Sequence, residues 1–409
     1  MTMDQRIPAV LFAAGWWPGP NDPHAGIFIR EQALAVQALR PVAVVHGSLE
    51  KKPWAWPSIR LAEENDEGMA VVRFRISTPL RRFGIHKWLV RSAYKRALRR
   101  LERRFRFQCL HIHVRTPITE SAVHVAAQRQ WPVLVTEHSS FYHRGIGLHA
   151  PRQRLREQSH VARWFSHPSI QAVLPVSMDL GQILHERFGV PEHRIAVVPN
   201  VANPVFHPRT CAPPPPFRIL LAARWEPPKD AALFLRALEL LPASLQRPDA
   251  LHIFWAGDGS QYDLAVRDAA QWAGNGTIRF LGRLRKEDLA DLLSSAHLLV
   301  HPTTAENLPC IILESLACGT PVLSHAVNGI PELIDGTNGV LCPPGDAATF
   351  ADALRRIMEG PDRFDRERIA RDAALRFAPA QVARQILQVH DRVLRPSDAS
   401  GISSFPEPT

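Results

Sequence analysis

The chain is 409 residues long, carries a formal net charge of +10 at pH 7 and is 45% hydrophobic, which is enough chain and enough apolar surface for two domains with cores of their own. Its five cysteines, Cys109, Cys211, Cys310, Cys318 and Cys342, form no C-x-x-C pair; this argues against a disulfide framework or a zinc site and fits a reducing cytosol. No uninterrupted apolar stretch approaches the roughly 18 residues of a membrane span.

Pro8 interrupts the apolar run that follows Arg6, and Trp16-Trp17-Pro18 is no cleavage site. The run therefore reads as a buried strand over 9–14 ending at Gly15, not as a signal peptide. A loop leads to Gly26, where a bare backbone lets a ligand come close, and then to a helical period through Ile27, Arg30, Leu34 and Leu39. Strands are expected at 42–45, 71–75, 110–114 and 133–136, with a helix over 119–130 between the last two. Strands alternating with helices imply right-handed crossovers and a parallel sheet, with ligands beyond the strand C-termini. The loop Thr136-Glu137-His138-Ser139-Ser140 lies at such an end. A lone histidine is more often structural than functional, so His138, His143 and the pair His111 and His113 stay open, with His113 ending a strand and able to line a cleft.

Between 81 and 106, eleven Lys and Arg residues stand against Glu102 alone, interspersed with Trp88, Leu89, Tyr94, Leu98, Leu101 and Phe105. This is a basic helix that either lies on an anionic membrane, with Trp88 and Phe105 inserted, or presents a solvated arginine-rich face. Nucleic acid is not expected, because no recognition motif accompanies the charge.

A strand at 171–176 follows, then Ser177 as a helix cap, then a strand at 195–198 leading to Pro199-Asn200-Val201-Ala202-Asn203. The tract from Cys211 to Pro216 is a stiff linker marking the domain boundary. A second series opens at 217–223 with the turn Arg224-Trp225-Glu226-Pro227-Pro228-Lys229, whose two cations five apart can clasp a diphosphate. Strands at 251–256 and 298–301 and the loop Phe280-Leu281-Gly282-Arg283 bring the chain to Glu306 and Glu314, with seven residues between them. Asn307 as cap and Pro309 open a helix over 309–318 that Cys318-Gly319 ends. A helix start attracts phosphate, and carboxylates beside it accept hydrogen bonds from sugar hydroxyls, so the pair can hold a ligand such as a nucleotide-sugar. By spacing alone, two surface glutamates on an ordinary helix is the simpler account.

The E-x7-E pair is followed by S-L-A-C-G-T-P-V, N-G-I-P-E-L-I, N-G-V-L and P-P-G-D. Together they resemble the retaining glycosyltransferases of the GT-B fold, family 4 or group 1. The resemblance implies an α/β protein of two Rossmann-like domains whose parallel sheets face a central cleft. These are an acceptor-side domain over 1–205 and a nucleotide-sugar-binding domain over 206–378. A helix over 379–395 would return to the first domain; the tail 396–409, rich in Ser and Pro, is expected to be disordered on its composition. The resemblance also implies the site. Glu314 would hold the ribose and Glu306 the donor sugar, with Arg224 and Lys229 on the diphosphate. His138 would face the sugar, Arg283 and Leu284 would lie near the base, and Gly26, Asn307 and Leu308 would complete the donor contacts. The sequence departs from the family's E-G-F-G, having E-N-L-P, and Pro309 offers no N–H.

D-x-D, P-loop, G-x-S-x-G and H-E-x-x-H motifs are all missing from the sequence. The expectation is therefore no cofactor and no metal, with a nucleotide-sugar donor as substrate. The leaving diphosphate would be stabilised by Arg224, Lys229 and the helix start near Leu308. The catalytic set would be His138, Arg224, Lys229 and Glu306, with the anomeric configuration retained and no side chain acting as nucleophile. The expected acceptor is a glycan, lipid-linked, in bacterial surface polysaccharide synthesis. The expected location is the cytoplasm, peripheral on the inner face of the membrane through residues 81–106. Three alternatives stand beside this reading: a sugar-nucleotide epimerase of the same architecture, a non-catalytic sugar- or membrane-binding protein, and a glycosidase, which would need no Arg224/Lys229 clamp.

Overall fold

The computed structural model describes residues 5–20, 22–52, 56–78, 85–144, 151–209 and 216–395. The expected linker up to residue 215, the start of the basic stretch at Arg81 and Arg82, and the tail from Pro396 lie outside these residues. The chain divides into two compact units. The first comprises Met1–Val176, Leu180–Val198 and Val382–Thr409, and the second Ser177–Asp179 and Pro199–Gln381.

The strands of the first unit are β1 (Ile7–Pro8), β2 (Val10–Ala14), β3 (Val42–Lys51), β4 (Ser58–Asp66), β5 (Met69–Thr78), β6 (Phe105–Arg106), β7 (Leu110–His113), β8 (Val133–Glu137) and β9 (Ile170–Pro175). Seven of them form one sheet in the order β4-β5-β3-β2-β7-β8-β9, with only β4 antiparallel, while β1 and β6 pair separately. The inner strands β2, β7 and β8 are buried along their whole length, as parallel strands covered on both faces must be. The helices are α1 (Ile27–Gln37), α2 (Ile85–Leu101), α3 (Thr119–Ala127), α4 (Phe141–Arg144), α5 (Pro151–Phe165) and α6 (Met178–Phe188).

Three expectations are corrected here. Strand β4 was not foreseen: only Ile59 and Leu61 of its nine residues are apolar and inward enough to suggest it, and it is an edge strand whose register comes from the turn at Glu67-Gly68. The expected strand at 195–198 reduces to a single bridge from Val173 to Ile195. The basic helix is a core helix. Leu89, Val90, Tyr94, Ala97, Leu98 and Leu101 are all buried, and α2 packs on β5 and α3. At about 1.5–3 kcal/mol per large apolar side chain, its hydrophobic stripe is committed to the protein interior. Phe105, 5% exposed, is likewise unavailable to a membrane, whereas Trp88 is 67% exposed.

The second unit holds β10 (Phe217–Arg224), β11 (Leu251–Asp258), β12 (Ile278–Gly282), β13 (Leu298–His301), β14 (Val322–His325) and β15 (Gly339–Cys342). They form a fully parallel sheet in the order β12-β11-β10-β13-β14-β15. Its helices are α7 (Ala231–Glu239), α8 (Tyr262–Asp268), α9 (Ala270–Gly274), α10 (Lys286–Ser295), α11 (Cys310–Ala317), α12 (Ala347–Glu359), α13 (Arg366–Phe377) and the start of α14 (Pro379–Leu394). From Val382 onward α14 belongs to the first unit. There His390 Nε2 lies 3.0 Å from His111 Nδ1, and its Nδ1 lies 3.2 Å from Cys109 Sγ. No helix of the described residues is long and apolar enough to cross a membrane.

Candidate active site

In the second sheet the strand order reverses between β10 and β13, so the loops leaving their C-terminal ends emerge side by side. The first of these loops carries Arg224 and Lys229, the second Glu306. Backbone bonds stitch the loops together: Asp230 N donates to Pro302 O (3.0 Å), Thr304 N to Pro228 O (3.0 Å), and Lys229 bridges Thr303. Asp230 also caps α7 by accepting from Leu233 N at 3.0 Å. The first loop is braced from below by buried Trp225, whose Nε1 donates to Ala256 O at 2.8 Å. The G-D-G turn wraps it so closely that a Cβ on Gly259 would lie 2.6 Å from Trp225 O.

This stitching brings Lys229 and Glu306 into an ion pair, Nζ donating to Oε1, with the side chains 10% and 25% exposed. Lys229 Nζ also lies 3.2 Å from His301 Nε2. Burial pushes the Glu306 carboxyl up, but the Lys229 ammonium and the His301 contact outweigh it and carry the pKa down to about 2. Burial, and then the Lys229 charge, hold His301 down to about 4. At neutral pH the site is thus a carboxylate, an ammonium and a neutral imidazole. Arg224 is exposed at the end of β10.

Glu314 sits half-buried on α11. That helix begins at Cys310, and its N-cap is Pro309 with no side-chain bond, so Asn307 does not cap it. Asn307 is buried at 3% exposure and accepts from Ser177 Oγ at 2.7 Å. Leu308 is buried too, and its carbonyl accepts from Asn200 Nδ2 at 2.9 Å. The E-N-L-P segment is therefore a packed turn in which Asn307 and Leu308 are buried, leaving those two residues only their backbone to offer a ligand. Glu306 N is held by Asn328 Oδ1 at 3.2 Å, and a Cβ on Gly329 would lie 2.3 Å from Asn307 O. Ser177 is not the cap of α6 either. Glu332 accepts from Met178 N (2.7 Å) and Asp179 N (2.8 Å) in that place. Arg283 is ion-paired with Asp258, and Leu284 beside it is half-buried.

In the first unit, His138 follows β8 and packs 4.5 Å from the Phe28 ring. Glu137 before it is fully buried: its Oε1 accepts from Tyr142 Oη and from Arg115 N, both at 2.8 Å. Burial pushes this carboxyl up to about 7. His111 and His113 are fully buried and burial holds both well below the ordinary imidazole range, so His113 lines no cleft. Gly26 has φ +66°, and a Cβ there would lie 2.5 Å from Trp16 O; the chain's own fold already accounts for this glycine. Sequence reasoning missed His301, whose only signal was its place at the end of the strand that delivers Glu306.

Residues 216–360 match the sequence model of the glycosyl transferases group 1, and residues 55–206 that of glycosyltransferase family 4. The chain belongs to the group 1 glycosyltransferases. A D-inositol 3-phosphate glycosyltransferase from Frankia alni is 32% identical over 189 residues, covering 44% of this chain and 46% of that protein, so the chain spans about half the length of this curated relative. Among solved structures, Anabaena HepE in complex with UDP and glucose superposes with TM-score 0.68 at 16% identity, over 94% of this chain and all of the other. The lipopolysaccharide outer core galactosyltransferase WaaB superposes with TM-score 0.65 at 14% identity, over 94% and 99%. At such identities the likeness establishes the GT-B fold of two Rossmann-like domains with parallel sheets.

Proposed function

We propose that this group 1 glycosyltransferase moves a sugar from a nucleoside-diphosphate-sugar to an acceptor hydroxyl with retention of anomeric configuration. The observation that carries the reading is the pairing of Lys229 with Glu306 at the switch point of the second sheet, where two separate motifs meet. Lys229 and Arg224 would take the negative charge that grows on the diphosphate as the glycosidic bond breaks. The free N–H groups at the start of α11 would add to this. Glu314 would accept from the ribose hydroxyls and Glu306 from the sugar, with Arg283 and Leu284 beside the base; His138 is proposed to face the sugar. Asn307 and Leu308 would contribute through backbone alone. The acceptor oxygen would attack from the face the phosphate leaves, and a phosphate oxygen would take the proton.

The acceptor we favour is a lipid-linked glycan of a bacterial surface polysaccharide. Two features support it: the fold likeness to a lipopolysaccharide galactosyltransferase, and the exposed basic face of α2, suited to an anionic membrane on the cytoplasmic side. A thermal-shift panel of UDP-, GDP- and ADP-sugars tests the donor, since a ligand that binds only the folded chain raises its stability by about 2.7 kcal/mol at a hundredfold excess over Kd. One donor should stabilise the wild type and support transfer. Stabilisation by none of them, or cleavage of a simple glycoside without nucleotide, would sink the reading.

A further inference from the structure

An ammonium carries three N–H donors. In Lys229 one goes to Glu306 Oε1 and another points at His301 Nε2, 3.2 Å away. His301 is the last residue of β13 and 2% exposed, and its own carbonyl is held by Ser324 Oγ at 2.7 Å. An imidazole nitrogen facing an ammonium can only accept. Nε2 stands nearer the Lys229 ammonium, at 3.2 Å, than Glu306 Oε1, at 3.8 Å, so the acceptor form, with the ring proton on Nδ1, is the tautomer that Lys229 favours. We propose that His301 is a positioning residue for Lys229: as a neutral acceptor it fixes the ammonium between itself and Glu306, so that the third N–H is presented to the ligand's diphosphate. This rests on the assignment of Lys229 to the diphosphate.

A flexible lysine otherwise loses rotamer freedom when a ligand orders it; two prior partners remove that cost before binding. The groups facing the imidazole are Lys229 from the loop after β10, Glu306 from the loop after β13 and His325 from β14. Burial and the Lys229 charge keep the ring neutral until the pH nears about 4, so the acceptor persists across the physiological range. Protonation would place a second cation against Lys229.

The test is calorimetric binding of UDP, GDP and ADP to the full chain, taking the tightest as probe. His301→Phe, which keeps the volume and removes the acceptor, should weaken the probe about tenfold. His301→Gln, whose amide oxygen can stand near Nε2, should stay within about threefold of wild type. In a Lys229→Ala background His301→Phe should add no further loss, because there is no ammonium left to orient; a merely structural histidine would give an additive loss. His301→Leu serves if the Phe variant does not fold. Equal affinities of wild type and His301→Phe, or an additive loss, would overturn the inference while leaving the Lys229 clamp standing. Unchanged affinity in Lys229→Ala alone, or binding of none of the three nucleotides, would overturn the clamp and the inference with it.

Discussion

Two charge clusters of this chain differ in almost every physical respect. At the end of the second sheet, Lys229 and Glu306 are paired, largely buried and enclosed by loops that bond to each other. On α2 and just past its end, Arg96, Arg99, Arg100 and Arg103 surround a surface recess of about 360 Å³ over Ile59 and Leu61, all four exposed and, among the described residues, with no carboxylate paired to any of them. The buried pair exists because two loops must converge, and removing either partner strands the other. The arginine face costs the fold little, since each charge is solvated by water. The first arrangement suits one small anion; the second suits a large surface whose charge is spread out.

The sharpest way to break this contrast is at the pair. Lys229→Ala should lower kcat by roughly 10²–10³, the range seen when one preorganised charge-stabilising donor is removed. The loss should fall more on kcat than on KM, as steady-state kinetics with the stabilising donor will show. Equal losses in ground-state affinity and turnover would mean that the lysine binds without favouring the transition state. Glu314→Gln should follow in size, weakening the nucleotide about ten- to hundredfold in calorimetry, the worth of a charged hydrogen bond, with the melting temperature little changed. Unchanged affinity in the folded variant would remove Glu314 from the ribose.

The next effect is on pH. Glu137 has its folded pKa raised to about 7, so the native state binds more protons than the unfolded chain between the ordinary carboxylate range and pH 7. Its contribution is fully present at low pH and is lost as pH rises through about 7. Glu137→Gln keeps an oxygen for Tyr142 and Arg115 but cannot ionise, so it should melt higher than wild type at pH 8 and close to it at pH 5, in paired thermal scans. Glu306 and His301 act in the opposite sense. Their folded pKa values are depressed, to about 2 and about 4, so their contributions are present at neutral pH and are lost on acidification.

The smallest effect on stability should come from the arginine face. Changing Arg96, Arg99, Arg100 and Arg103 to Gln should move folding by no more than about 0.5 kcal/mol per site. It should nevertheless abolish salt-sensitive sedimentation with anionic vesicles and leave nucleotide affinity intact, because exposed charges attract an anionic surface by about 1 kcal/mol each and are screened by salt. Equal sedimentation of wild type and variant would return α2 to a solvated face.

The sequence alone determined the parallel α/β character, the position of nearly every inner strand and the run of motifs around Glu306 and Glu314. Those signals are local: a buried strand must be apolar, and a helix must end where Gly319 takes φ +74°. The helix over 379–395 was expected only from the family resemblance, and it runs over Pro379–Leu394. Tertiary structure decided what the polar groups do. Ser177 and Asn307 both read as helix caps, yet they bond to each other, because Glu332 already satisfies the N–H groups of Met178 and Asp179. Gly26 read as a place for a ligand and is spent on Trp16. The amphipathic pattern of α2 could not say whether lipid or protein would cover its apolar stripe, and β5 and α3 cover it. His301 carried no motif at all; it acquired a partner only when the strand order placed β10 beside β13. Periodicity along the chain dictates which residues are hidden, but a hydrogen bond needs a partner at about 3 Å, and that partner is chosen by residues far away in sequence.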